Sequence, residues 1–152
     1  MATIKLTQDF KEFLQLLNSE KIEYLLIGGY AVWLYGYIRP TKDIDLWVSI
    51  DPANLDRVRD VLVKFGFSPD SVKTLFTETQ SVLRMGQPPN RIELLSRIDG
   101  VDFSDCYSRR QIMDIDGIPV PVIDYSDLKR NKQSTGRASD QVDVERLSKR
   151  RH

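Results

Sequence analysis

The stretch of sequence that most constrains this chain lies between residues 24 and 48. A short apolar run, residues 24–27, stops at Gly28 and Gly29, which predicts a buried strand that ends in a tight turn. Residues 30–35 then predict a helix that starts from this turn. The free N–H groups and the positive dipole end of such a helix would favour a phosphate. After a loop, a second apolar strand is predicted.

The second strand, residues 43–48, carries two carboxylates, Asp43 and Asp45. Side chains on a strand alternate between its faces, so residues two positions apart point the same way. Ile44 and Leu46 therefore face the core, while both carboxylates face one cleft, within reach of divalent cations. A phosphate site beside a two-carboxylate metal site is typical of phosphoryl or nucleotidyl transfer.

Six residues of this stretch occur in a specific order: Gly28, Gly29, Arg39, Thr41, Asp43 and Asp45. The pattern resembles the nucleotidyltransferase superfamily with the DNA polymerase beta-like catalytic fold. Its small stand-alone members, which include those of toxin–antitoxin and abortive-infection systems, are the most similar. The resemblance implies that these residues bind a nucleoside triphosphate such as ATP, and that the two aspartates hold Mg²⁺ or Mn²⁺. The common form of the turn is Gly-Ser, from which Gly29 departs.

A third carboxylate, Glu93, lies in the predicted strand 91–95. It shares a face with Arg91, while Ile92 and Leu94 lie on the other face. Burial of an unpaired carboxylate is costly, and either a metal ion or a salt bridge would remove that cost. The resemblance assigns Glu93 to the metal site. The alternative is a salt bridge to a basic side chain: Arg91, Arg97 or Lys73.

The last part of the chain is basic, with eight Lys and Arg residues against three Asp and Glu residues from position 129 onward. This segment also resembles the small nucleotidyltransferases, and the resemblance implies that Lys132 and Arg137 bind the nucleotide. Asp140 and Asp143, one helical turn apart, would orient Lys132 or Arg137. The alternative is an interhelical salt-bridge network without a ligand. Arg39 also has two interpretations. In one it contacts the triphosphate or the nucleotide base, and in the other it forms a surface salt bridge.

The other segments complete the predicted fold. Thr7 is the predicted N-cap of a helix that reaches about residue 18, and Asp51 precedes Pro52 at the start of another. The other predicted helices cover residues 30–36, 52–65, 72–76, 103–109, 127–132 and 138–147, and the other predicted strands cover 81–85, 112–115 and 118–123. A turn is predicted at 87–90, and a frayed tail at 149–152. Together they predict one α+β domain over residues 1–152, with a mixed sheet flanked by helices.

Asp116 and Gly117 separate the last two predicted strands, and this dipeptide is typical of a hairpin turn. The second strand of the hairpin contains Pro119 and Pro121, which cannot donate backbone hydrogen bonds. The prolines therefore predict that this strand lies at an edge of the sheet.

Composition narrows the classes of function. The chain has 152 residues, 41% hydrophobic and 29% charged, as in ordinary soluble domains. No apolar run is long enough for a membrane span. A single cysteine, Cys106, excludes an internal disulfide and favours the cytoplasm. The one histidine is His152, so a His/Cys metal site and a thiol mechanism are disfavoured. The net charge of zero argues against indiscriminate binding of nucleic acid.

The function predicted from the sequence is a metal-dependent transfer of a nucleotide from a nucleoside triphosphate to an acceptor. The acceptor would be an RNA end, a protein hydroxyl or a small molecule, and a toxin or antitoxin partner is compatible with the resemblance. The main alternative is a non-catalytic antitoxin or protein-interaction module that keeps the fold, which the missing turn serine and the small size favour. A third hypothesis is a nucleic-acid-binding accessory that uses the basic C-terminal segment.

Overall fold

The computed structural model of the protein describes residues 4–41, 43–76, 81–87 and 91–150. The described residues form six α-helices, six strands and one 3₁₀ turn. The helices are α1 (Gln8–Ser19), α2 (Gly28–Leu34), α3 (Pro52–Phe65), α4 (Phe103–Ser108), α5 (Tyr125–Thr135) and α6 (Ala138–Arg150). The strands are β1 (Tyr24–Ile27), β2 (Asp43–Val48), β3 (Val82–Met85), β4 (Arg91–Leu95), β5 (Gln111–Ile115) and β6 (Ile118–Val122).

The strands form one mixed sheet in the order β3-β4-β2-β1-β6-β5. Strand β2 is antiparallel to β1 and parallel to β4. Its register places Asp45 opposite Ile27 on one side and opposite Glu93 on the other. The expected α+β fold with a mixed sheet is confirmed, and the register brings three acidic positions to neighbouring strands.

Alternating burial along β2 separates the core from the cleft. Ile44 and Leu46 are fully buried, whereas Asp43 and Asp45 are partly exposed on the opposite face. Helix α1 covers the core with an apolar stripe of four buried residues: Phe10, Phe13, Leu14 and Leu17. The predicted cap of this helix is present, because the Thr7 hydroxyl accepts a hydrogen bond from the Phe10 N–H at 3.2 Å.

The predicted start of the second helix was two residues too late. Strand β1 runs directly into α2 at Gly28, whose φ of +70° reverses the chain within one residue, so no separate turn is needed. Tyr30, Ala31 and Val32 are the buried residues of this helix. The side chains of Trp33 and Leu34 are partly buried and pack against the core.

The prediction of an edge position for the proline-containing strand was wrong, because β6 lies between β1 and β5. The carbonyl of Pro119 accepts a hydrogen bond from the Asn18 side chain at 2.8 Å, so this side of the strand faces away from β5. Pro121 faces the same side, since backbone groups of alternate residues point the same way. There β1 is in register with β6 only at Leu26 and Val122. The prolines therefore cost few sheet hydrogen bonds.

Three other boundaries differ from the expectations. The helix expected at 72–76 is a 3₁₀ turn, Asp70–Val72, followed by irregular turns. Helix α5 continues through Ser134 and Thr135 and stops at Gly136, whose φ is +73°. Helix α6 extends to Arg150, beyond the predicted end at 147. Most of the expected turn at 87–90 and the last two residues of the tail lie outside the described residues, and so do residues 77–80.

No helix among the described residues combines the length and the apolar character that crossing a membrane requires.

The buried Asn54, near the start of α3, forms hydrogen bonds with the residue before β1 and the residue after β2. The Glu23 N–H donates to Asn54 Oδ1 at 2.8 Å. Asn54 Nδ2 donates to the carbonyls of Ser49 at 2.8 Å and Glu23 at 3.2 Å. Asn54 is 2% exposed, so water cannot replace these bonds.

Asn54→Ala is expected to lower the free energy of unfolding by about 2–3 kcal/mol, because it removes the bonds to the Glu23 N–H and to the buried Ser49 carbonyl. Urea unfolding monitored by circular dichroism measures this change. Asp56→Ala is the matched control on the same helix, where the side chain is 76% exposed and its ion pair with Arg59 lies at the surface. Equal stability losses for the two variants would contradict this account.

Candidate active site

A cavity of about 600 Å³ lies over one face of the sheet. The register places Asp45, Glu93 and Arg84 in a row across β2, β4 and β3, so these side chains share that face. Val82 and Leu95 form a second cross-strand pair on the same face. Helices α5 and α6, the first turn of α2 and residues 39–41 form the remaining walls. The acids therefore form part of the floor of an open cleft.

Asp43 is held on one side only. Its Oδ2 accepts a hydrogen bond from Arg91 Nη2 at 2.8 Å, as expected for residues that are paired in the parallel register. Its other oxygen, Oδ1, is buried and has no hydrogen-bond partner. A buried carboxylate oxygen without a partner is costly and is suited to a cation.

The Oδ1 atom of Asp45 is likewise buried and has no hydrogen-bond partner. Burial raises its pKa to about 7, and the nearby carboxylates of Glu93 and Asp43 act in the same direction. Lys132 opposes the shift, which indicates that its ammonium group acts across the cleft on Asp45.

Glu93 faces the cleft beside Asp45 and is paired with basic residues. Its Oε1 lies 3.1 Å from Arg84 Nε and 3.7 Å from Arg91 Nε. Of the salt-bridge partners considered from the sequence, only Arg91 is near it. The main partner, Arg84, was missed because its position depends on the antiparallel register of β3 on β4. The side chain of Arg84 is 60% exposed, so this ion pair is weak.

The fit of these residues to a divalent cation depends on the two unpartnered oxygens. Within the described ranges, no three His, Cys, Asp or Glu side chains stand in a ready metal-binding arrangement. Arg91 and Arg84 engage Asp43 and Glu93 instead. Asp43 and Asp45 nevertheless each present one free, buried oxygen of the type that Mg²⁺ and Mn²⁺ prefer. The aspartate pair therefore fits a divalent metal. Glu93 would become a third ligand if the metal replaced its ion pair with the exposed Arg84.

The two glycines lie directly against the acid-bearing strand. A Cβ atom on Gly28 would overlap Asp45 Oδ2, so the backbone and the carboxylate are in contact. A Cβ atom on Gly29 would lie 2.7 Å from Thr41 Cγ2. Both glycines line the cavity. The space that a side chain at either glycine would need is therefore already filled, by Asp45 at Gly28 and by Thr41 at Gly29.

Lys132 lies on the opposite wall, in a buried ion network. Its Nζ lies 2.8 Å from Asp140 Oδ1 and 3.0 Å from Asp143 Oδ2. Arg137 Nε contacts the other oxygen of Asp140 at 2.9 Å. Burial alone would raise the pKa of Asp140, but hydrogen bonds from Lys132 and Thr135 outweigh it and hold that pKa below its usual value. Lys132 and Arg137 both line the cavity.

Arg39 joins this network from the loop before β2. Its guanidinium makes two hydrogen bonds to the Asp143 carboxylate, both at 2.9 Å. Asp143 is 2% exposed and is shared with Lys132. Arg39 thus makes a salt bridge, as one of the two interpretations held, but with a buried partner 104 residues away. It also lines the cavity, and its Nη1 donates a hydrogen bond to the Pro40 carbonyl at 3.3 Å.

One buried charge was not predicted from the sequence. Asp127, at 1% exposure, accepts two hydrogen bonds from Arg109, at 2.9 and 3.0 Å, and one from Arg130 at 3.1 Å. Burial raises the pKa of the neighbouring Cys106 thiol to about 12, and the Asp127 carboxylate adds to the shift. A raised pKa of this kind lowers the thiolate fraction of a buried cysteine. The only local signal for Asp127 was its place in the first turn of a helix.

The pH dependence of stability is expected to report the buried state of Asp45. In the unfolded chain its pKa is about 3.8, and in the folded protein it is about 7. The unfolded state therefore ionises first, and the parent protein loses stability as the pH rises between these values. Asp45→Asn cannot ionise, so its melting temperature should exceed that of the parent by an amount that grows from pH 4 to pH 7 and then levels off.

Melting curves at a series of pH values without metal measure this difference. Asp70→Asn is the control, because that carboxylate is 89% exposed. A difference between parent and Asp45→Asn that stays constant over the whole range would contradict the raised pKa.

Three solved structures have a fold similar to that of this chain. TM1012 of Thermotoga maritima, a candidate nucleotidyltransferase, is similar with a TM-score of 0.59, 15% identity and coverage of 92% of this chain and 90% of that chain. The lincosamide antibiotic adenylyltransferase LnuA, solved with lincomycin, has a TM-score of 0.60, 17% identity and coverage of 95% and 98%. An antigenic nucleotidyltransferase-like protein of Paracoccidioides brasiliensis has a TM-score of 0.54, 18% identity and coverage of 95% and 77%. The chain has the nucleotidyltransferase fold.

Sequence comparison gives the family. No curated protein matches the sequence significantly. The sequence profile of DUF6036, described as a nucleotidyltransferase of unknown function, matches residues 4–149. This match covers nearly the whole chain and includes both walls of the cleft. The chain therefore belongs to the DUF6036 family of nucleotidyltransferases.

Proposed function

We propose that the protein transfers a nucleoside monophosphate from a nucleoside triphosphate to an acceptor hydroxyl, with a divalent metal as cofactor. The observation that carries the proposal is the pair of buried, unpartnered Oδ1 atoms of Asp43 and Asp45 in a cleft whose opposite wall carries Lys132. Membership of a nucleotidyltransferase family supports it. Triphosphate, metal and acceptor would meet between an acidic floor and a basic wall.

Asp43 and Asp45, with Glu93, would hold Mg²⁺ or Mn²⁺. When bound, such an ion stabilises the charge that develops at the α-phosphate and lowers the pKa of an attacking hydroxyl. The residues themselves supply the orientation. Arg91 donates a hydrogen bond to one oxygen of Asp43 and leaves the other oxygen free. Residues that hydrogen-bond to a metal ligand in this way orient that ligand toward the metal.

The nucleotide-binding wall is formed by Lys132, Arg137 and Arg39. The two aspartates of α6 hold these three cations in place by ion pairs of 2.8–3.0 Å. The network has one more cation than anion, so it favours a polyanion without rearrangement of the backbone. Across the cleft, Gly28 and Gly29 line the cavity, where phosphates would meet their backbone. These positions are suited to the β- and γ-phosphates.

The acceptor would lie on the other side of the acids, over β4 and β3. In phosphoryl and nucleotidyl transfer the attacking and leaving oxygens are roughly in line, so the acceptor sits opposite the leaving pyrophosphate. That end of the cavity has an apolar floor, Val82 and Leu95, with Arg97 beside it. An RNA end, a protein hydroxyl and a small molecule are the three acceptor classes that an assay must include.

The decisive experiment is incubation with each α-³²P-labelled nucleoside triphosphate, Mg²⁺ or Mn²⁺, and separate pools of RNA, protein and metabolites. The expected result is metal-dependent transfer of label to one pool, with release of pyrophosphate. Asp45→Asn should reduce the rate at least about a hundredfold, since it removes charge that stabilises the transition state. Its far-UV circular dichroism should match that of the parent.

The outcomes separate the competing hypotheses. Metal-dependent nucleotide binding without any transfer would support a non-catalytic module that keeps the fold. Binding of RNA or DNA that needs neither nucleotide nor metal and falls steeply with salt would support an accessory that binds nucleic acid through its basic segment. Absence of both nucleotide binding and transfer would refute the proposal.

Lys132→Ala is expected to weaken nucleotide binding by about 1–3 kcal/mol, because it removes a charge-assisted contact with phosphate. The variant should still fold, since Arg39 and Arg137 remain paired with Asp143 and Asp140. Isothermal titration with nucleotide and Mg²⁺ measures the change.

Lys129→Ala is the matched control for this experiment. Lys129 lies one turn earlier on α5, where its ammonium stands over the Tyr125 ring and outside the cavity lining. Its removal should leave nucleotide affinity unchanged. Equal affinities of the parent and Lys132→Ala would remove Lys132 from the binding site.

A further inference from the structure

The sheet ends in two edge strands, β3 and β5, and β5 is the less protected of the two. Edge strands commonly carry a charged side chain or a proline that prevents pairing with another chain. On β3 the exposed side chain is that of Arg84. On β5 it is that of Ile112, which at 61% is the most exposed large hydrophobic residue in the described part of the chain. The two prolines of the hairpin lie on the inner strand β6, so every residue of β5 keeps its N–H group.

The backbone groups of Ile112 and Asp114 face the free edge of β5. Asp114 lies opposite Pro119, whose carbonyl points away from β5 and accepts a hydrogen bond from Asn18. Opposite residues that do not bond each other in an antiparallel pair both point their backbone groups outward. The N–H and carbonyl of Asp114 therefore point away from β6, and so do those of Ile112, two residues earlier. This edge offers donors and acceptors to one more strand.

Two charged residues flank Ile112 at equal distances along the chain. Arg110 precedes Ile112 by two positions and Asp114 follows it by two, so the alternation of a strand places the three side chains on one face. Arg110 is held in place by Tyr107, because its Nη1 donates to the Tyr107 carbonyl at 2.9 Å and its guanidinium lies 4.1 Å from the ring centroid. Asp114 Oδ1 accepts a hydrogen bond from the Gly117 N–H at 3.0 Å. Neither charge forms an ion pair with any other described residue.

The order Arg110, Ile112, Asp114 is self-complementary when two copies of the strand run antiparallel. A twofold axis at Ile112 places each Ile112 against its own copy, and each Arg110 directly opposite Asp114 of the second copy. Opposite charges on directly opposed strand positions stabilise the pairing. A parallel arrangement in the same register would instead place like charges side by side. The charge pattern therefore favours one partner and one orientation.

We propose that β5 pairs with β5 of a second copy of this chain, antiparallel and centred on Ile112. The Ile112 N–H would donate to the Ile112 carbonyl of the second copy, and the Asp114 N–H would donate to its Arg110 carbonyl. The Arg110 N–H already donates to the Tyr107 carbonyl at 3.2 Å, so it needs no further acceptor.

The dimer would leave both clefts open. The acids lie on β2 and β4, and β1 and β6 separate these strands from β5. The sheet would continue from one copy into the other through the two β5 strands. This inference goes beyond the proposed function and does not depend on it.

The first test is sedimentation velocity of the parent protein between about 1 and 500 μM. A strand of five residues buries less than the roughly 800 Å² per partner of a stable interface, so we expect a dissociation constant on the order of 10–100 μM. Ile112→Lys places two like charges at the twofold axis and should stay monomeric over the whole range. Its far-UV circular dichroism and urea unfolding should match those of the parent, because Ile112 is exposed.

Ile50→Lys is the matched control, since Ile50 is 51% exposed and lies outside β5. It should dimerise like the parent. A parent that remains monomeric at the highest concentration would overturn the pairing of two copies and leave this edge to a strand of a different protein. Folded Ile112→Lys that dimerises like the parent would place the dimer contact elsewhere and also overturn the proposal.

The second test examines the register by exchanging charges. Arg110→Glu places acids opposite each other and Asp114→Lys places bases opposite each other, so each variant alone should dimerise at least about tenfold more weakly. In an equal mixture the two variants should form a mixed dimer with an affinity close to that of the parent, because both cross-strand pairs again join opposite charges.

Arg57→Glu and Asp60→Lys, at exposed positions of α3, are the matched controls for the change of charge. Each should dimerise like the parent. Circular dichroism of both β5 variants should match that of the parent, so that a weaker dimer reports the interface. A mixture that dimerises no better than its separate components would overturn the antiparallel register centred on Ile112.

Discussion

Three carboxylates share one face of the sheet and lie close enough to repel one another. Asp43, Asp45 and Glu93 are brought together by the parallel register of β2 and β4, and charge repulsion in a partly buried cleft is stronger than in water. The chain offsets this repulsion with Arg91 and Arg84 on the same face. One negative charge remains in excess, and it is met by the basic wall on the other side. Helix α5 carries Lys132 of the basic wall, so its position over the sheet contributes to this charge balance.

The basic wall has the opposite composition, with three cations around two aspartates. Asp143 is the centre of this wall, because its two oxygens bind Arg39 from the loop before β2 and Lys132 from α5. The carboxylate is almost fully buried, so salt screens these pairs much less than surface pairs. Loss of the carboxylate would leave buried cations without a partner. One side chain of α6 thus fixes two walls of the cleft.

The local parts of the fold and of the site could be predicted from the sequence. Alternation along β2 gave the strand and the common face of its two aspartates, because a strand has a fixed period of two residues. Thr7 and Pro52 marked helix starts, because such signals depend on adjacent residues. The acid at Glu93 was found in the same way, from its place in an apolar strand.

The parts that could not be predicted depend on contacts between distant segments. Arg84 reaches Glu93 only through the register of β3 on β4, which no local pattern reveals. Arg39 and Asp143 are 104 residues apart. The edge prediction for β6 failed because Pro119 indicates only a missing donor, and the sequence does not show which side of the strand lacks a partner. Each of these features is set by pairing between segments that are distant in the sequence.

The short pairing between β1 and β6 divides the sheet mechanically. Their backbones are in register only at Leu26 and Val122, with one further bond from the Ile123 N–H to the Leu26 carbonyl. Between the prolines and β1, side-chain packing and Asn18 replace the usual ladder. The attachment of the β5–β6 hairpin therefore depends on the buried side chains of β6, among them Val120 and Val122, more than on backbone hydrogen bonds. Strand β2, which carries Asp43 and Asp45, is instead paired at four positions with β1 and at five with β4, so backbone hydrogen bonds hold the floor of the cleft.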